Sequence, residues 1–168
     1  LGYAAWLHDI GKIGVPENIL DKRFRLPAGR EEILENRFRL AAALMELDAL
    51  RRGAGRQEME MVAARQKWLD EALGRVLSIN SGNWLTDEDR AFLDELARET
   101  YTGLDGRPAP LVFADEMAYL SVQKGNLTGE EYSIMQGHVL HTLKIVENIP
   151  FSGHLADVPG IASSHHEM

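Results

Sequence analysis

The chain has no cysteine. That excludes a disulfide framework, a thiolate zinc site and a cysteine nucleophile, and it is compatible with a reducing, cytoplasmic location, which is the expectation here. No apolar run is long enough to span a bilayer as a helix, and no signal peptide is visible. Positive charge is in short supply: 18 Lys and Arg stand against 26 Asp and Glu, for a net charge of -8. A broad surface for a nucleic-acid polymer is therefore not expected, although a local basic pocket for a small phosphate ligand stays open. Alternating apolar and polar residues over a useful strand length are also missing, so the expected fold class is all-α.

The 168 residues, 45% apolar and 26% charged, suffice for a globular domain with a real core. The first residue is Leu1 rather than Met, and the last is Met168, two positions after a His pair. Both ends look cut, and a larger parent protein is expected.

Leu1 to Ile13 reads as a helix with Ala4, Ala5, Leu7 and Ile10 near its buried side. Gly11 and Gly14 loosen its end, and Pro16 stops it. Pro16 to Leu20 then reads as a short turn or helix. From Pro27 onward Ile33, Leu34, Phe38, Ala41, Leu44, Met45 and Leu47 fall at helical spacing. Gly53-Ala54-Gly55 breaks that run, and a second begins near Gln57 with Met61, Val62, Trp68, Leu69, Ala72, Leu73 and Val76. Two long helices across a short Gly-containing turn predict an antiparallel helical hairpin. Its functional use would be a dimerisation or signal-coupling arm. Its structural alternative, slightly favoured, is a packed insertion without chemistry.

Thr86 before Asp87, Glu88 and Asp89 predicts an N-cap and a helix to about Thr100. Leu104 to Pro108 reads as a loop. Asp115 to Val122 reads as a short helix closed by Gly125. Thr128 with Glu131 three residues on is a capping box. The helix it opens carries Ile134, Met135, His138, Val139, Thr142, Ile145 and Val146, and Pro150 ends it. A last helix is expected from Asp157-Val158-Pro159 through His165 and His166.

Chemistry concentrates in Leu7-His8-Asp9-Ile10-Gly11-Lys12 and in His165-His166. An adjacent His-Asp pair offers a nitrogen and an anionic oxygen ligand, and its carboxylate can bridge two cations. Gly11 lets a backbone or a phosphate come close, and Lys12 is a point charge for a phosphate. Taken singly, each of these residues is better explained as structural: Lys12 as a solvated surface residue, His138 as a hydrogen-bonded core residue, His165-His166 as a frayed end. Together, His8, Asp9, His138, His165 and His166 supply metal ligands from three helices, as metal sites in helical bundles do. His141 lies nearly one turn beyond His138 and could face the same cavity, where it would touch substrate or orient a ligand. His154, in a Ser-Gly-His loop, reads as a surface residue.

The stretches Leu7 to Pro16, Asn126 to Glu131, His138 to Thr142 and Ile149 through Asp157-Val158-Pro159 to Glu167 resemble the HD-GYP family, a branch of the HD phosphohydrolases. The likeness covers roughly the first two dozen and the last four dozen residues, with the pieces in family order. It implies an all-α, HD-domain-like helical bundle with an inserted antiparallel hairpin. The expected parts are residues 1–24 and 114–168, forming the HD-type domain, and an insertion over 25–113. The resemblance further implies a metal-dependent phosphodiesterase hydrolysing cyclic di-GMP, with two or three divalent transition-metal ions, iron or manganese. His8, Asp9, His138, His165 and His166 would be the ligands, with Asp9 bridging and catalytic and Lys12 on the phosphate. His141 adds a second substrate contact, from the reading of its spacing. The Gly-Tyr-Pro signature that follows the His-His-Glu stretch in the family lies beyond Met168, so this stretch alone is expected to be inactive. The expected partners are a cyclic dinucleotide and, through the insertion, a second copy of the chain. The alternatives are an inactive HD-type signalling or dimerisation module and a general nucleotide phosphohydrolase.

Overall fold

The computed structural model describes Leu7 and residues 9–151. By contact the chain divides into two compact units, Arg23–Asn126, and Leu1–Lys22 with Leu127–Met168. Among the described residues it is mostly helical, with a single two-stranded hairpin.

The unit from Arg23 to Asn126 is built on a helical hairpin, α2 (Arg30–Arg51) and α3 (Arg56–Ser81). Helix α1 (Glu17–Leu20) belongs to the other unit. The turn forms where the glycines predict it. Gly53 takes φ 70°, a backbone conformation that costs glycine nothing. Its N–H reaches Leu50 O at 3.1 Å, and Ala54 N–H reaches Ala49 O at 2.9 Å. These two bonds are the Schellman closure of a helix end. Leu34, Phe38 and Ala41 of α2 meet Leu69, Ala72, Val76 and Ile79 of α3 in one core. Leu93 and Leu96 of α4 (Asp87–Leu96) close it from another side. Thr86 caps α4 as expected, its Oγ1 accepting from Asp89 N at 3.1 Å and donating to Asp89 Oδ2 at 2.7 Å. That helix stops at Leu96, short of the expected Thr100.

Two features of this unit depart from the sequence reading. Thr100–Thr102 (β1) and Pro108–Pro110 (β2) pair antiparallel, Tyr101 opposite Ala109. The strands are three residues long and β2 holds two prolines, so no alternation could announce them. The core also takes in charge. Arg37 and Glu116, on α2 and α5 (Ala114–Leu120), are both nearly inaccessible and form a two-pronged pair at 2.6 and 3.0 Å. Arg25 is fully buried, with its guanidinium on the carbonyls of Ile79, Gly82 and Val122. Burial holds its pKa below the usual arginine value, against the pull of Asp89.

In the other unit, Ile10–Gly14 is a tight 3-10 turn. Ile10 to Ile13, expected to close a helix over residues 1–13, are 3-10 instead, and residues 1–6 and 8 lie outside the described part. α1 (Glu17–Leu20) follows Pro16 and buries Ile19. Thr128 caps α6 (Gly129–Gln136) in the predicted reciprocal box, with Glu131 N on Thr128 Oγ1 at 3.2 Å and Thr128 N on Glu131 Oε2 at 2.8 Å. The single helix expected from Thr128 to Pro150 is two, with α7 spanning His138–Glu147. Gly137 separates them; its N–H is shared between Ser133 O and Ile134 O, both at 3.1 Å, a local tightening of the turn. Lys22 joins α6 through Glu131 at 2.7 Å, both side chains mostly buried. The helix expected at 157–166 lies outside the described residues.

Candidate functional site

The 3-10 turn lies along α7, and glycine is what lets it do so. A Cβ on Gly11 would stand 2.0 Å from His138 O and 2.4 Å from Thr142 N, closer than any side chain can come. With only hydrogens there, Gly11 N donates to Thr142 Oγ1 at 3.0 Å, a buried bond across 131 positions of sequence. One turn along, a Cβ on Gly14 would stand 2.5 Å from His141 Nδ1. The two glycines thus match the two histidines of α7, Gly11 to His138 and Gly14 to His141. The close approach that Gly11 was expected to permit is that of a backbone.

This seam brings Asp9 to His138. His138 is buried, and its Nδ1 donates to Met135 O, since a carbonyl can only accept. That bond fixes the tautomer and turns Nε2 toward Asp9 Oδ1, at 3.7 Å. An imidazole nitrogen and a carboxylate oxygen at this spacing can both serve as donors to one cation. Two donors on one ion, each about 2.1 Å from it, stand about 3.0 to 3.4 Å apart in octahedral or tetrahedral geometry. The observed spacing is a few tenths of an ångström wider. The donor set, one carboxylate and one imidazole whose far nitrogen is held by a carbonyl, fits a divalent transition metal.

Asp9 uses its other oxygen differently. Lys12 Nζ donates to Asp9 Oδ2 at 2.8 Å, with both side chains more than a third exposed. Lys12, expected on a phosphate, therefore sits on the carboxylate expected to bridge. At that exposure the pair contributes little to stability.

Of the expected site residues, Asp9, Lys12 and His138 are brought together. His141 faces Gly14, and its Nδ1 is buried without a hydrogen-bond partner among the described residues. His8, His154, His165 and His166 lie outside the described residues. Among the described residues no group of three His, Asp or Glu side chains converges as a complete metal site would. Thr142 was legible only as part of an apolar stripe. Its role as acceptor for the Gly11 N–H carries no sequence signal of its own.

No curated protein and no solved structure matches the chain significantly. A family model described as an HD domain matches residues 111–168, a span that includes His138, His141, His165 and His166. HD domains generally bind divalent metals, and an HD domain suggests a metal-dependent phosphohydrolase. The likeness to an HD domain covers residues 111–168, about a third of the chain.

Proposed function

We propose that the chain supplies part of a two- or three-metal phosphodiesterase site that hydrolyses cyclic di-GMP. The observation that carries this reading is the pairing of Asp9 with His138, a carboxylate and a tautomer-fixed imidazole from distant parts of the chain held 3.7 Å apart by a glycine seam. Asp9 and His138 would hold metal together with His8, His165 and His166. Bound divalent ions would activate a water and offset charge on the phosphate oxygens. The chain's own part is to fix ligands and to position the phosphate. Met135 O orients His138, Gly11 sets the Asp9 turn against α7, and Lys12 passes from Asp9 to the incoming phosphate. His141 would contact the substrate beside it. Iron or manganese suits a mixed nitrogen and carboxylate donor set.

A second reading, a non-catalytic signalling module of the same fold, draws support from the Lys12–Asp9 pair, which gives Asp9 a cation partner from within the chain. Turnover separates the two. The intact protein, loaded with iron or manganese, is assayed for cyclic di-GMP hydrolysis beside Asp9→Asn and His138→Ala. The catalytic reading expects linear dinucleotide or GMP from the wild type and a loss of at least about 100-fold in each variant. Turnover unchanged in Asp9→Asn with normal metal content would sink it. Activity on other nucleotides alone, in a substrate panel, would keep the phosphohydrolase and discard cyclic di-GMP.

A further inference from the structure

Helix α2 is apolar on two sides. Leu34, Phe38 and Ala41 face the core, while Ile33, Leu40, Leu47 and Leu50 are 53, 37, 41 and 59% exposed. A surface helix normally turns a polar face outward. The exposed residues are not scattered. Ile33, Asn36, Leu40, Ala43, Leu47 and Leu50 are all exposed and are spaced 3, 4, 3, 4 and 3 apart. That is the a/d repeat of a two-stranded coiled coil, lying on the side of α2 opposite its core stripe.

We propose that this seam pairs with the same seam of a second copy of the chain, parallel and in register. Two observations select the occupant and its direction. In a parallel pair each seam residue meets its own copy, so Asn36 meets Asn36 and the two amides satisfy one another. Run antiparallel, the same seam sets Asn36 against Leu47, burying an amide on an alkyl chain. The flanks agree. A parallel pair places Glu46 beside Arg51 of the second copy. Arg51 has no ion-pair partner among the described residues, and Glu46 takes only a hydrogen bond from Gln66, 2.9 Å. The seam runs about 26 Å, short for a coiled coil. The dimer is therefore weak and concentration-dependent, with dissociation roughly in the micromolar range.

The test uses the full chain. Sedimentation equilibrium should show a monomer–dimer equilibrium near micromolar concentrations. Leu40→Glu should raise the dissociation constant by about 100-fold while leaving the circular dichroism and melting of the monomer unchanged, because residue 40 is outside the core. Because the chain has no cysteine, Leu50→Cys, which leaves Asn36 in place, reports direction without background. Position 50 meets its own copy only in the parallel pair, so air oxidation should give a disulfide-linked dimer through position 50 in most of the protein. Glu46→Arg should weaken the dimer, and adding Arg51→Glu should restore it. A chain that stays monomeric at about 100 µM overturns the proposal. So does a dimer indifferent to Leu40→Glu, or one that neither crosslinks at position 50 nor recovers in the charge-swapped pair.

Discussion

Replacing Gly11 with alanine tests the seam from which the site is built. The new Cβ would lie 2.0 Å from His138 O, whereas ordinary contact begins near 3.4 Å. The obstacle is backbone, not the end of a flexible side chain, so nothing can rotate aside. The turn must retreat by the difference, about 1.4 Å, which also stretches the Gly11–Thr142 hydrogen bond. Overpacking of this kind costs about 1–3 kcal/mol and a lost buried hydrogen bond about 1 kcal/mol. We expect a loss of about 3 kcal/mol, read as a fall in Tm of about 6–12 °C for a chain of this size. The functional effect is larger. Two ligands about 2.1 Å from one ion can be at most about 4.2 Å apart. A 1.4 Å retreat takes Asp9 Oδ1 and His138 Nε2 from 3.7 Å to about 5 Å, beyond that reach. Thermal melting and elemental analysis of Gly11→Ala are the assays. A variant that melts with the wild type and keeps its metal refutes the glycine-seam argument.

Gly74, exposed in the middle of α3, has nothing within 4 Å of its Cβ position, so Gly74→Ala should raise stability by about 1 kcal/mol through helix propensity alone; urea unfolding checks it. Glu116→Gln strands the buried Arg37 guanidinium, which also lies 4.0 Å over the Phe113 ring, and should cost about 3–5 kcal/mol in the same assay. Glu131 supplies the pH dependence. Burial works to raise its pKa, but hydrogen bonds from Lys22 and from Thr128 N outweigh it and hold the group below its ordinary 4.5. The unfolded chain then binds this proton more readily than the folded one. The contribution is complete above about pH 4.5 and disappears as pH falls through the folded value. Glu131→Gln should remove stability at neutral pH and flatten the acid limb of a stability–pH curve; an unchanged acid limb contradicts the assignment.

Much of this was legible in the residues, and the exceptions share causes. Capping chemistry is local, so Thr86 and Thr128 announced their helices, and Gly53 announced the hairpin turn. Periodicity located α2, but it merged two stripes. Ile33 and Leu47 fall at helical spacing with Leu34 and Phe38, yet they face away from the core, and only packing reveals which side is covered. Gly137 and Gly11 show the limits of local reading from opposite directions. One glycine tightens a helix the pattern carried straight through, and the other is required by a contact 131 positions away. Buried charge is the least legible. Nothing in the sequence sets Arg25 or Arg37 apart from the solvated arginines around them. In the site, His-Asp adjacency and the histidine spacing pointed to Asp9 and His138, but the Lys12–Asp9 pair depends on a turn geometry that the sequence alone does not supply.

The most direct measurement is metal content by elemental analysis, on intact protein prepared anaerobically with iron and manganese supplied, beside folded Asp9→Asn and His138→Ala variants. The account predicts two or three transition-metal ions per chain in the wild type and a marked loss in both variants with helical circular dichroism retained. Equal metal in all three proteins, or none in the wild type, would contradict the claim that Asp9 and His138 are held together to bind metal.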